Sequence, residues 1–195
     1  LTKFLWEYFE ANKIYSPNIL EIGTKFGGTL NIWAELIEEM SKLEPPKYGD
    51  PDLIKGMCIS IDMSDGGIHG GISEEEMDKR DLWFNERFSN CHFIRGNSHE
   101  VDTVHKVKNF NTGWSFRDPS ISYSFLDFLF IDGDHTFHGV EQDWEMFSPF
   151  VKKSGVIAFH DIIISKEHHE RNVYVGEFWK ELTKFRFDHA PNITL

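Results

Sequence analysis

The chain has 195 residues, 40% of them hydrophobic, including 18 Phe and 6 Trp. That length supports a core of ordinary size, and that composition excludes a disordered chain. Twenty Lys plus Arg face 32 Asp plus Glu, a formal charge of -12, which repels a phosphate backbone and argues against nucleic acid as a partner. No apolar run approaches the length of a membrane span, and no basic-then-apolar signal pattern opens the chain. Two cysteines, Cys58 and Cys91, form no disulfide framework. The expectation is one domain over residues 1–195, cytoplasmic, without membrane or nucleic acid, acting on a small molecule. The many aromatics leave room for a homodimer interface.

Helices and strands alternate along the chain. Residues 1–13 read as a helix with Phe4, Leu5, Tyr8 and Phe9 on one face, and residues 16–22 as a short apolar strand. From about Thr29 a second helix carries Ile32, Trp33, Leu36, Ile37 and Met40, ended by Pro45 and Pro46. Residues 57–61 form a second strand, closing at Asp62. Ser73 and Glu76 are spaced as a capping box for a helix presenting Met77, Leu82, Trp83 and Phe88. Residues 91–94 are a third strand, and Val101, Val104 and Val107 mark another helix. The apolar run 125–131 suits a strand buried on both faces. Phe137, Val140, Trp144 and Phe147 then mark a helix, residues 155–159 a fifth strand, and residues 175–185 a last helix. This alternation predicts an α/β fold, a doubly wound and mostly parallel Rossmann-like sheet with helices on both faces.

In such a sheet ligands bind beyond the carboxyl ends of the strands, where strand order reverses. The first strand runs into Glu21-Ile22-Gly23-Thr24-Lys25-Phe26-Gly27-Gly28, where glycines permit close backbone approach and a helix N-terminus follows. A dinucleotide loop needs Gly-x-Gly-x-x-Gly, and this one reads Gly-x-x-x-Gly-Gly. Glu21 would sit badly beside a pyrophosphate but suits a cationic amino-acid head group. Asp62, ending the second strand, is placed to accept from two ribose hydroxyls.

Residues 19–23 with Gly27-Gly28 resemble motif I of class I S-adenosylmethionine-dependent methyltransferases. Ser60-Ile61-Asp62 resembles their ribose-binding motif, and Arg95-Gly96-Asn97-Ser98 the third motif, with Asn97 where an adenine-contacting Asp is usual. The resemblance implies S-adenosylmethionine held by Glu21, Gly23, Thr24, Lys25, Phe26, Gly27, Gly28, Asp62, Met63, Asn97, Ser98, Asp132 and Gly133. It fades after Asp161. Relatives finish with an antiparallel strand pair, for which only Phe185-Arg186-Phe187 is a candidate, so that pair is expected to be missing or shortened.

Asp132, Asp134, His135, His160 and Asp161 follow the fourth and fifth strands, on the same sheet edge as the glycine loop. Ionisable groups at that density are costly without a purpose, and their oxygens and imidazoles suit Mg2+, Mn2+ or another divalent ion. The stretch 127–161 is similar to metal-assisted sugar O-methyltransferases and the cephalosporin-hydroxylase-like group. That similarity implies His135 as general base and Asp132, His160 and Asp161 as metal ligands, with His160 replacing an acidic partner. Asp134 and Asp143 read as solvated positions, and residues 166–170, with His168 and His169, as a polar turn. The stretches 66–71 and 114–116 read equally as lids or as surface loops. Two other functions stay open: a metal-dependent hydrolase built on the Asp/His cluster, and an S-adenosylmethionine-binding module without catalysis.

Overall fold

A computed structural model describes residues 1–43, 56–64, 71–110 and 124–187. Five strands form one parallel sheet: β1 (Ile19–Ile22), β2 (Cys58–Asp62), β3 (Cys91–Arg95), β4 (Leu126–Ile131) and β5 (Val151–Phe159), in the order β3-β2-β1-β4-β5. The chain builds outward from β1 on one side and then returns to build from β1 on the other. Strand order therefore reverses between β1 and β4, which is where a ligand crevice opens.

Helices α1 (Thr2–Ala11), α2 (Gly28–Ser41), α3 (Glu74–Arg87), α4 (Val101–Asn109), α5 (Phe137–Phe147), α6 (Lys166–Glu170) and α7 (Val175–Phe187) complete the layers. One core sets Leu20, Ile22, Ile59, Ile61, Leu129 and Ile131 against Val140, Phe147 and Phe178. The other sets Ile19, Cys58, Cys91, Phe128 and Phe130 against Leu5, Phe9, Trp33 and Phe84. The period-2 alternation of strand side chains assigns neighbours to opposite cores. Burial of each such large side chain contributes roughly 1.5–3 kcal/mol. Cys58 and Cys91 stand in register on β2 and β3 as buried free thiols.

The Ser73–Glu76 capping box forms as expected, each side chain engaging the other's backbone at the start of α3. Several expectations need correction. On α3 the buried residues are Met77, Arg80 and Phe84, while Leu82 is 60% exposed. The strand expected at residues 155–159 begins at Val151, with a bulge against β4, and it is a half-buried edge strand. Residues 166–170 are a short helix capped by Ser165, not a turn. Residues 185–187 close helix α7 and form no strand. Residues 45–46, 66–70 and 114–116 lie outside the described residues. No helix among the described residues is long and apolar enough to cross a membrane.

Candidate active site

The parallel ladder carries on past the strand ends and pins the loops that follow. Gly23 N–H donates to Ile61 O, Asp132 N–H to Ile22 O and His160 N–H to Ile131 O, at 2.9, 2.9 and 3.0 Å. The glycine loop, the Asp132 loop and the His160 turn thus sit side by side on one edge of the sheet.

Within the glycine loop the glycines have defined tasks. Gly23 has φ +88°, and a Cβ there would lie 2.0 Å from the Asp132 carbonyl oxygen. Gly27, at φ +82°, admits the ring of Phe84 and starts α2. Lys25 takes a left-handed φ of +48° without being glycine. Such a conformation costs an L-residue roughly 1–2 kcal/mol. Thr24 Oγ1 accepts from Ser60 Oγ at 2.7 Å, a buried bond tying the loop to β2. Phe26 projects outward, 65% exposed.

Glu21 lies in register with Ser60 and Phe130, one rank beneath the loop, and is only 1% exposed. Its Oε2 is buried without a hydrogen-bond partner. Burial, reinforced by the nearby charges of Asp132 and Asp62, pushes its carboxyl well above the usual range, and Arg80 partly offsets this. A buried acid lacking a partner fits a cationic group arriving from outside the chain.

Asp62 is not free at the end of β2. Its Oδ2 accepts from Arg80 Nη1 at 2.7 Å and its Oδ1 from the Met63 N–H at 3.0 Å. A carboxylate has about four lone-pair sites, so both oxygens can still accept from hydroxyls. Asn97 and Ser98 follow β3 at the same edge, where Asn97 Oδ1 accepts from the His99 N–H at 2.9 Å.

The four predicted catalytic and metal residues converge. His135 Nε2 lies 3.0 Å from Asp132 Oδ1, and its Nδ1 lies 3.2 Å from Asp161 Oδ2. His160 Nδ1 lies 3.1 Å from Asp132 Oδ1 and 3.2 Å from Asp161 Oδ1. The Asp132 carboxylate raises the pKa of His135 against the opposing effect of burial. Donor atoms of Asp132, His135 and His160 all fall within 4.8 Å of one another. His135 therefore belongs to the potential donor set as well as being the expected base. Asp161 stands beside both imidazoles, in a left-handed turn at φ +53°.

Helix α5 does not use His135 as a cap. Thr136 caps it by accepting from Gly139 N–H, and Asp134 Oδ1 accepts from Thr136 N–H. The His135 carbonyl instead accepts from the Tyr174 N–H at 2.8 Å, which fastens the segment before α7 to the site. Asp143 corrects its expectation: it is fully buried under the Asp132 loop, where a Cβ at Gly133 would lie 2.8 Å from its Oδ2. His99 Nε2 lies 3.2 Å from Asp143 Oδ1, and the carboxylate raises the His99 pKa. His168 and His169 also have partners: His168 Nδ1 contacts Ile163 O, and His169 contacts Glu177 and stacks on Tyr174. Sequence reading missed Arg80, His99 and the burial of Asp143, since each depends on a partner from another segment.

A family model described as a methyltransferase domain matches residues 20–162, from β1 to just past Asp161. The chain belongs to that family. S-adenosylmethionine is the methyl donor of this domain type, and the fold agrees. A calicheamicin methyltransferase structure superposes with a TM-score of 0.59 at 14% identity, covering 100% of this chain and 72% of that one. A Podospora anserina methyltransferase with bound S-adenosylhomocysteine gives 0.55 at 13% identity, over 97% and 70%. A mycinamycin-pathway methyltransferase in complex with Mg and S-adenosylhomocysteine gives 0.53 at 13% identity, over 96% and 41%. Among curated sequences, an uncharacterized protein of Sinorhizobium fredii is 25% identical over 168 residues, 86% of this chain. An uncharacterized protein of Acanthamoeba polyphaga mimivirus is 28% identical over 148 residues, 70% of this chain. The stretch matched by this chain spans 15% of the first relative's length and 62% of the second's.

Proposed function

We propose that the domain transfers a methyl group from S-adenosylmethionine to a hydroxyl of a small molecule, a sugar or natural product, with help from a divalent cation. The convergence of Asp132, His135, His160 and Asp161 next to the glycine loop carries this reading. Support for the sugar class comes from a fold relative described as a TDP-rhamnose 3'-O-methyltransferase, with a TM-score of 0.53.

In this reading Glu21 faces the cationic head group of the cofactor, Asp62 the ribose and Asn97 the adenine. S-adenosylmethionine supplies an already activated methyl group, so the protein mainly aligns donor and acceptor. His135, held between the carboxylates of Asp132 and Asp161, is the residue assigned to take the acceptor's hydroxyl proton. A positioned base of this kind contributes roughly 10²–10⁴-fold. Asp132 and His160, with Asp161 beside them, would hold the cation, which would supply positive charge to stabilise the acceptor oxygen. The donor set mixes imidazole and carboxylate, which suits Mn2+ or a later transition ion better than Mg2+.

Calorimetric titration with S-adenosylmethionine, with and without Mn2+ or Mg2+, tests the reading. The cofactor is expected to bind in every condition, and Mn2+ to bind wild type but not Asp132→Asn. Failure to bind the cofactor would overturn the methyl-transfer reading. Unchanged Mn2+ binding by Asp132→Asn would overturn the metal site.

A further inference from the structure

Arg80, on α3, is 7% exposed and has no counterpart among the sequence motifs. Its Nη1 lies 2.7 Å from Asp62 Oδ2 at the end of β2 and 2.7 Å from the Lys25 carbonyl in the glycine loop. Its Nε and Nη2 both lie 2.9 Å from Asp81 Oδ1, and its guanidinium carbon sits 5.3 Å above the centre of the Phe93 ring. Asp81 is in turn gripped by Arg95, whose Nη2 lies 2.7 Å from Asp81 Oδ2. Arg95 ends β3 and also pairs with Asp78 at 2.8 Å. The guanidinium joins the end of β2 to the glycine loop, and Asp81 carries the link on to Arg95 at the end of β3.

We propose that Arg80 is a positioning residue for the cofactor, holding the ribose-side carboxylate of Asp62 and the glycine loop in fixed relation. This rests on the reading of Asp62 as the ribose acceptor.

Two features favour a functional role over a packing one. The first is the shared nitrogen. Nη1 carries two hydrogens, and the geometry directs them to two acceptors from different segments, an arrangement the planar guanidinium enforces and an ammonium does not. The second is the strain at Lys25, whose left-handed carbonyl is the atom Arg80 grips. Strain of this kind persists only where the surroundings over-determine it. Burying a charge beside Phe84 and Phe93 is costly, and an apolar side chain would fill the space as well. Arg80 also offsets the mutual repulsion of Glu21, Asp62 and Asp132, which crowd the crevice. Without it, Asp62 gains by turning towards solvent, away from a ribose.

The test compares S-adenosylhomocysteine with its 3'-deoxyribose analogue by calorimetry on wild type, Arg80→Met, Arg80→Lys and Asp62→Asn, with thermal melts of each. Wild type is expected to prefer the ligand with the intact diol by about tenfold or more, as a hydrogen bond to a charged acceptor implies. Asp62→Asn and both Arg80 variants are expected to lose most of that preference, with Arg80→Lys still folded. Retention of the preference in Arg80→Lys, while Asp62→Asn loses it, overturns the proposal alone. So does equal weakening of both ligands with the preference intact, the signature of a packing role. Retention in Asp62→Asn overturns the ribose reading and the proposal together.

Discussion

Gly23 and Asp132 touch through their backbones: a Cβ on Gly23 would lie 2.0 Å from the Asp132 carbonyl oxygen and 2.5 Å from its carbonyl carbon. This contact is where the two halves of the sheet meet, since Gly23 directly follows the end of β1 and Asp132 the end of β4. It lets the glycine loop and the Asp132 loop share one crevice.

Gly23→Ala is therefore expected to be severely destabilising. The left-handed φ costs roughly 1–2 kcal/mol and the steric conflict roughly 1–3 more, together about 2–5 kcal/mol. Urea unfolding measures this directly. A loss below about 1 kcal/mol would show that the two loops can part without cost.

Glu21→Gln should stabilise the free domain at neutral pH while weakening cofactor binding. Because the folded pKa of Glu21 is raised, the folded protein holds this proton more tightly than the unfolded chain. Stability is thus greatest below the unfolded value of about 4.3 and falls as pH rises through the folded pKa. The Gln variant lacks this decline. Melting temperatures of both proteins from pH 4 upward should diverge in its favour as pH rises, and parallel curves would contradict the assignment.

The His99–Asp143 pair predicts a pH dependence at higher pH. The pKa of His99 is raised by Asp143, so its contribution is complete below the unfolded value of about 6.5 and is lost as pH rises through the folded pKa. His99→Gln should flatten the fall in melting temperature above pH 6.5. An unchanged slope would mean that the pair contributes nothing to stability.

His160→Glu should shift metal preference towards Mg2+, because carboxylate oxygens suit that hard ion better than imidazole does. Relative to wild type, the ratio of Mn2+ to Mg2+ affinity is expected to drop by on the order of tenfold. Calorimetry with each ion alone reads the ratio. No change would place His160 outside the coordination shell.

Much of the fold was legible because its signals are local. The run at 125–131, the glycines after Ile22 and the Ser73–Glu76 box each depend on neighbours within a few residues, and all three appear where expected. The misreadings share a different cause. Leu82 and Trp83 looked like core residues on α3, yet tertiary packing turns Arg80 and Phe84 inward. Asp143 looked solvated because nothing near it in sequence indicates that the Asp132 loop folds over it.

The sequence by itself determined the alternation of strands and helices, the glycine loop and the placement of Glu21, Asp62, Asp132, His135, His160 and Asp161 at strand ends. These follow from short-range periodicity and from the rule that parallel strands present their carboxyl ends on one edge. Only the tertiary structure decided what those side chains meet. Strand order and register set Asp132 against His160, Arg80 against Asp62 and Lys25, and His99 against Asp143. Such pairings span tens of residues and leave no periodic trace, because long-range electrostatic partners are fixed by how whole elements pack.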